Sequence, residues 1–150
     1  MRQFRTTRRV NHAAADMFAL VADVERYPDF VPLCERLKVL RRAHSGEGIE
    51  TVTANMTVAY KLIRETFTSQ VTLDRPRLTI LVEYLDGPFS HLENRWTFHS
   101  VGERLCDVEF FIDYEFRSRV LGVLMGSMFD IAFRRFAHAF EQRADRIYRA

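Results

Sequence analysis

The chain has 150 residues, 47% hydrophobic and 28% charged, with 22 Lys and Arg against 20 Asp and Glu. That length suits one domain burying roughly 70% of its unfolded surface, and the composition excludes both a disordered chain and a membrane-embedded one. A formal net charge of +2 falls short of the basic excess of a dedicated nucleic-acid binder, and two cysteines are too few for a disulfide scaffold or a zinc motif, so a reduced cytoplasmic setting is expected.

Arg2, Arg5, Arg8 and Arg9 precede no apolar segment, so no secretory signal is expected. Residues 3–10 read as a short strand. Over residues 13–22, Ala14, Met17, Phe18 and Val21 share one helical face, with Asn11 as the expected N-cap. Pro28 and Pro32 restrict residues 25–34 to a helical turn and an ordered loop.

The middle of the chain is a ladder of strands. Val52, Ala54, Met56, Val58 and Tyr60 alternate with polar residues at period two. The pattern repeats over Ile63–Leu73, Leu78–Tyr84, Leu92–Phe98 and, most clearly, Val108, Phe110, Ile112, Tyr114 and Phe116. Turn signals at residues 45–48, 74–76, 86–88 and 101–102 make these strands antiparallel neighbours with one covered face. Ser118 to Arg149 holds no proline and reads as one helix of about 30 residues, roughly 45 Å long. Its first half is apolar nearly all round and its second half is amphipathic. The fold class is therefore α+β: a strand, a short helical region, a long antiparallel meander and a terminal helix across the sheet.

A curved sheet under one long helix need not close at every point. The expected lining of an internal tunnel is Met56, Val58, Phe67, Val82, Tyr84, Trp96, Phe110, Ile112 and Tyr114 from the sheet. The helix would add Met125, Phe129 and Phe133, with Phe30, Val31 and Pro32 closing one end. Filling an ordinary core is the alternative use of the same residues. Glu65, Ser69 and Asn94 fall in phase with apolar faces; a buried carboxylate is costly unless paired, so Glu65 pairs with an Arg, stays protonated or faces a wet pocket, unless it sits near a sheet edge or the phase slips at a bulge. Glu65 and Asn94 are the candidate polar cavity residues.

No catalytic constellation is recognisable: there is no Gly-rich phosphate loop, HExxH or G-x-S-x-G. His91, Glu93 and His99 alternate on the solvent-side phase and read as surface residues. Cys34 has no base specified beside it. Gly122 and Gly126, one turn apart on the last helix, would let a strand backbone approach closely.

Tyr27-Pro28-Asp29-Phe30-Val31-Pro32-Leu33-Cys34 resembles the Y-x-x-F-x-P-x-C signature of the coenzyme Q-binding, START-like family. Residues 64–71 (RETFTSQV) look like that family's central strand. Asp86-Gly87-Pro88-Phe89 followed by Leu92, Trp96 and Phe98 is similar to its G-P-F-x-x-L-x-x-x-W-x-F segment, and residues 139–144 of the final helix also fit. The resemblance implies a helix-grip fold of about seven antiparallel strands around a C-terminal helix. It implies non-enzymatic binding of ubiquinone or a related polyprenyl lipid in support of respiration or quinone biosynthesis, with no further cofactor and no metal. Trp96, Tyr84 and Tyr114 are the expected neighbours of the quinone head. Implied partners are the hydrophobic ligand, a transient membrane surface at the inner membrane, and no DNA.

The same family includes a bacterial ribosome-association toxin, which makes the ribosomal large subunit the alternative partner. Support for it is an Arg-rich rim formed by Arg2, Arg5, Arg8, Arg9, Arg134, Arg135, Arg143 and Arg146. A third reading, an aromatase/cyclase-type enzyme, requires a positioned acid or base in the cavity, and only Glu65 offers itself.

Overall fold

A computed structural model describes residues 2–148. The elements run β1 (Arg2–Val10), α1 (Ala14–Ala22), a 3-10 segment (Val24–Asp29), β2 (Cys34–Gly46), β3 (Ile49–Tyr60), β4 (Ile63–Asp74), β5 (Thr79–Asp86), β6 (Phe89–Gly102), β7 (Leu105–Phe116) and α2 (Arg119–Ile147). The strands form one curved seven-stranded sheet in the order β1-β7-β6-β5-β4-β3-β2, with every pair antiparallel. The long C-terminal helix lies across its concave face, which is the helix-grip arrangement.

Period two is what directs the side chains. Val52, Ala54 and Val58 on β3, Val71 and Leu73 on β4, and Phe110, Ile112 and Tyr114 on β7 all point inward and are buried. Register then stacks these inward positions across neighbouring strands: Val52 opposite Val71, Val71 opposite Val82, Val82 opposite Asn94, and Asn94 opposite Ile112.

Strand β2 has no counterpart among the strands read from the period-two pattern. Only Cys34, Leu37 and Val39 turn toward the core, while Arg36, Lys38, Leu40 and Arg41 are exposed. It is an edge strand, and a row of cations on an edge also discourages pairing with a second chain.

Two helix starts differ in chemistry. The residue before α1 is Ala13, with extended backbone and no side-chain cap, so the expected cap at Asn11 is not formed; Asp16 instead puts a negative charge in the first turn. Ser118 caps α2, its hydroxyl accepting from the Leu121 amide at 3.3 Å. Helix α2 ends at Ile147, and Arg149 lies outside the described residues.

The apolar girth of the first half of α2 divides into two faces. Met125, Phe129 and Phe133 are buried under the sheet, whereas Val120 and Val123 are 68% and 79% exposed. Two ion pairs and a hydrogen bond tie α2 to the start of the chain at intervals along its length: Arg2–Asp130 at 2.7 Å, Arg8–Glu141 at 2.6 Å and, between His12 Nε2 and Asp145 Oδ1, a hydrogen bond at 2.6 Å. Among the described residues no helix is long and apolar enough to cross a membrane.

Candidate functional site: an uncharged cavity under the long helix

Sheet and helix do not seal against each other. Between them lies a cavity of about 110 Å³, several times the space one water molecule requires. Ala54, Met56 and Val58 from β3, Phe67, Ser69 and Val71 from β4, Val82 from β5, Leu92, Asn94 and Trp96 from β6, and Phe110 and Ile112 from β7 form its floor. The roof is Phe129, Ala132, Phe133, Phe136 and Phe140 of α2. One wall comes from Val24, Tyr27 and the 31–34 segment leading into β2, with Leu37. No Asp, Glu, His, Lys or Arg is among these lining residues.

Eleven of the expected apolar lining residues meet here: Val31, Pro32, Met56, Val58, Phe67, Val82, Trp96, Phe110, Ile112, Phe129 and Phe133. Four do not. Phe30 packs edge-on against Phe140 at 5.0 Å and lies under the Arg143 guanidinium, so it closes the outside of the wall. Met125 is fully buried, outside the lining, at a position of α2 nearer the helix start than Phe129. Tyr84 packs on Phe89, whose amide donates to its hydroxyl at 3.1 Å. Tyr114 is fully buried, and its hydroxyl donates to Asp130 Oδ1 at 3.1 Å.

Glu65 also stays out. It is half-buried on β4, opposite Val58 and one inward position beyond Phe67 toward the start of the strand. Solvent at the sheet end supplies its hydration without any cavity partner.

The polar groups that do reach the lining are Ser69, Asn94, Cys34 and Tyr27. The Trp96 indole donates to Asn94 Oδ1 at 3.0 Å, and Asn94 Nδ2 donates to the Phe111 carbonyl at 2.8 Å. Trp96 therefore presents a ring face and no free donor; Tyr114 donates to Asp130, and Tyr84, outside the lining, accepts from the Phe89 amide. Ser69 is 5% exposed and lines the cavity.

The Tyr27 hydroxyl donates to the Val21 carbonyl, at 2.5 Å, and burial pushes its pKa well above the usual phenol range. Burial likewise pushes the Cys34 thiol up to about 11, so it is a neutral, inert wall group near pH 7.

Sequence reasoning singled out the 27–34 run as a motif but placed only Phe30, Val31 and Pro32 at the cavity, leaving out Tyr27, Leu33 and Cys34. The backbone explains the difference. Leu33 adopts a left-handed conformation, φ +68°, and its carbonyl accepts from the Ala59 amide at 3.0 Å. That turn brings Val31, Leu33 and Cys34 onto the cavity. Positive φ at a leucine is costly and not encoded by any glycine or asparagine signal. Phe136 and Phe140 were visible as an amphipathic stripe, yet nothing local says the cavity extends so far along α2.

His91 and His99 stand on the outer face, near Asp113 at 3.3 Å and Glu109 at 3.6 Å. Among the described residues no cluster of three or more potential metal ligands forms.

The family described as "Polyketide cyclase / dehydrase and lipid transport" matches residues 10–141. The chain is similar to the ribosome association toxin RatA of Vibrio cholerae, 32% identical and covering 99% of both chains. It is similar to the mitochondrial coenzyme Q-binding protein COQ10 of Drosophila melanogaster, 32% identical over 91% of this chain and 56% of that one. Among solved structures it resembles the 18 kDa protein CC1736 of Caulobacter crescentus, with 31% identity, a TM-score of 0.81 and complete coverage of both chains.

Proposed function

This chain belongs to the polyketide cyclase / dehydrase and lipid transport family, and from that premise we propose that it is a non-enzymatic carrier of a neutral, largely hydrocarbon ligand, a polyprenyl quinone or related lipid. The observation that carries this reading is the uncharged cavity beneath α2. A lining without cations gives no counter-charge to a carboxylate or phosphate, and burying either unpaired would be prohibitive. The same lining holds no general acid–base pair, which also speaks against cyclase chemistry. Each five-carbon isoprene unit buried is worth at most ~4 kcal/mol by methylene counting, before the costs of association, so a short stretch of tail suffices for useful affinity.

A bilayer surface is where such a ligand resides. The end of the sheet carrying the β3–β4 turn and the start of α2 exposes Leu62 fully, with Val120 and Val123, beside the exposed cations Lys61 and Arg119. We assign loading of the cavity to transient contact of that end with the inner membrane.

Trp96 is the one tryptophan of the chain and lines the cavity, so its fluorescence reports occupancy directly. Decylubiquinone is expected to quench Trp96 saturably at micromolar concentration, and mass spectrometry of lipid extracts from gently purified protein should return a quinone or polyprenyl species. Empty extracts together with no saturable quenching sink the proposal.

Ribosome association is the second reading, favoured by full-length similarity to proteins named for it. The expected Arg rim is weaker than its count suggests. Arg2, Arg5, Arg8 and Arg9 each pair with a carboxylate, whereas Arg36, Lys38 and Arg41 on the β2 edge make no ion pair among the described residues. A phosphate-binding face would lie there. Co-sedimentation with large ribosomal subunits that is lost at high salt and on charge reversal at Arg36 and Arg41 would establish it.

A further inference from the structure

The cavity is carbon on nearly every side, yet a serine side chain lines it. Ser69 occupies an inward position of β4 between Phe67 and Val71, and it is opposite Ala54 on one side and Tyr84 on the other. Ser69 is 5% exposed and lines the cavity, which puts its hydroxyl within reach of whatever occupies that space. On the far side of Val82, Asn94 also lines the cavity; one amide N–H reaches the Phe111 carbonyl, and the second has no partner among the described residues.

We propose that Ser69 and Asn94 form a head-group site on the cavity floor for a neutral ring bearing two opposed carbonyl oxygens. The sheet sets the spacing. Val82 stands opposite Val71, one inward position along β4 from Ser69, and Asn94 stands opposite Val82. Two strand spacings across and two residues along separate the Ser69 and Asn94 backbones by about 12 Å. A six-membered ring with oxygens at opposite corners and one hydrogen bond at each end spans roughly 11 Å. Such a ring rests on Val82, with Ser69 donating to one carbonyl and Asn94 to the other, and its tail runs among the phenylalanines of α2. A fatty acid is excluded by the missing cation, and a bare hydrocarbon would leave both donors empty.

This assignment rests on the lipid-carrier reading, and the experiment separates the two. Decylubiquinone is titrated by Trp96 quenching, and decylbenzene, which has a matched tail and no carbonyls, is titrated by its displacement of decylubiquinone. Wild-type protein should prefer the quinone. Ser69→Ala leaves no partner orphaned, so it should fold normally. It should weaken decylubiquinone about five- to tenfold and leave decylbenzene within twofold. Ser69→Thr, which keeps the hydroxyl, should recover much of the quinone preference.

Equal binding of the two ligands by wild-type protein, or an equal shift of both in Ser69→Ala, overturns the head-group site while the carrier reading stands. Binding of neither ligand overturns both.

Discussion

The guanidinium of Arg2 crosses the long helix directly over Gly126. A β-carbon at position 126 would lie 2.5 Å from Arg2 Nη2, closer than any side chain tolerates. Arg2 continues past this gap to Asp130, which also accepts the hydroxyl proton of Tyr114. The expected approach of a strand backbone to the Gly122–Gly126 pair is thus an approach of one side chain to one glycine. Gly122 meets only Phe116, at ordinary contact distance. Residue 126 is therefore the groove through which β1 latches the half of α2 that roofs the cavity.

Gly126→Ala should push the flexible Arg2 head aside. It gains about 1 kcal/mol of helix propensity and loses a half-exposed ion pair worth at most about 1 kcal/mol, so net stability should move little. The diagnostic is a double-mutant cycle. Arg2→Ala should be measurable by denaturant unfolding in wild type and silent in the Gly126→Ala background. An unchanged Arg2 effect in that background disproves the latch.

Asp130 holds two donors of different cost. Tyr114→Phe removes one hydrogen bond and leaves Asp130 to solvent and Arg2, a loss of about 1 kcal/mol. Asp130→Ala strands the fully buried Tyr114 hydroxyl and should cost about 1–3 kcal/mol. Chemical denaturation of both variants checks the order; equal losses would mean that Tyr114 finds another partner.

Filling the cavity should separate binding from folding. Ala54 is 3% exposed and lines the floor. Ala54→Leu places its extra carbons in existing space and should change stability by less than about 1.5 kcal/mol. Saturable quenching of Trp96 by decylubiquinone should vanish. A loss of several kcal/mol would show that no usable space is present at that position.

Alkali should unfold the protein through its buried acids. Burial raises Cys34 and Cys106 from the ordinary thiol value to about 11 and moves Tyr27 and Tyr114 upward as well. For each, the folded state holds a proton that the unfolded chain has already released, so stability falls as pH rises from about 9 through 11. Thermal melts should be flat from pH 7 to 8.5 and decline above 9. A Cys34→Ala, Cys106→Ala double variant should decline less steeply. Alkylation of the native thiols at pH 8 should be slow for the same reason.

Much of this architecture was readable before any coordinates. Alternation at period two marks β3, β4 and β7 because each carries a covered and a wet face, and the proline-free amphipathic stripe after Ser118 marks α2. Strand β2 escaped because an edge strand rich in arginine has almost no apolar alternation to show. The cavity was legible as a set of inward aromatics, but membership was decided by details without local signature. The left-handed backbone at Leu33 admits Leu33 and Cys34, the end position of Glu65 excludes it, and the bonds made by Tyr84 and Tyr114 turn them to structural use.

One chain of 150 residues thus determined by its own pattern that a sheet would form and that a long helix would cover it, since burial of apolar faces follows from periodicity alone. Tertiary structure decided whether the two surfaces meet, because a void depends on how far bulky rings from opposite elements hold each other apart. The same packing decided which polar atoms keep a free valence, since a donor is spent or spare only according to what the fold sets beside it.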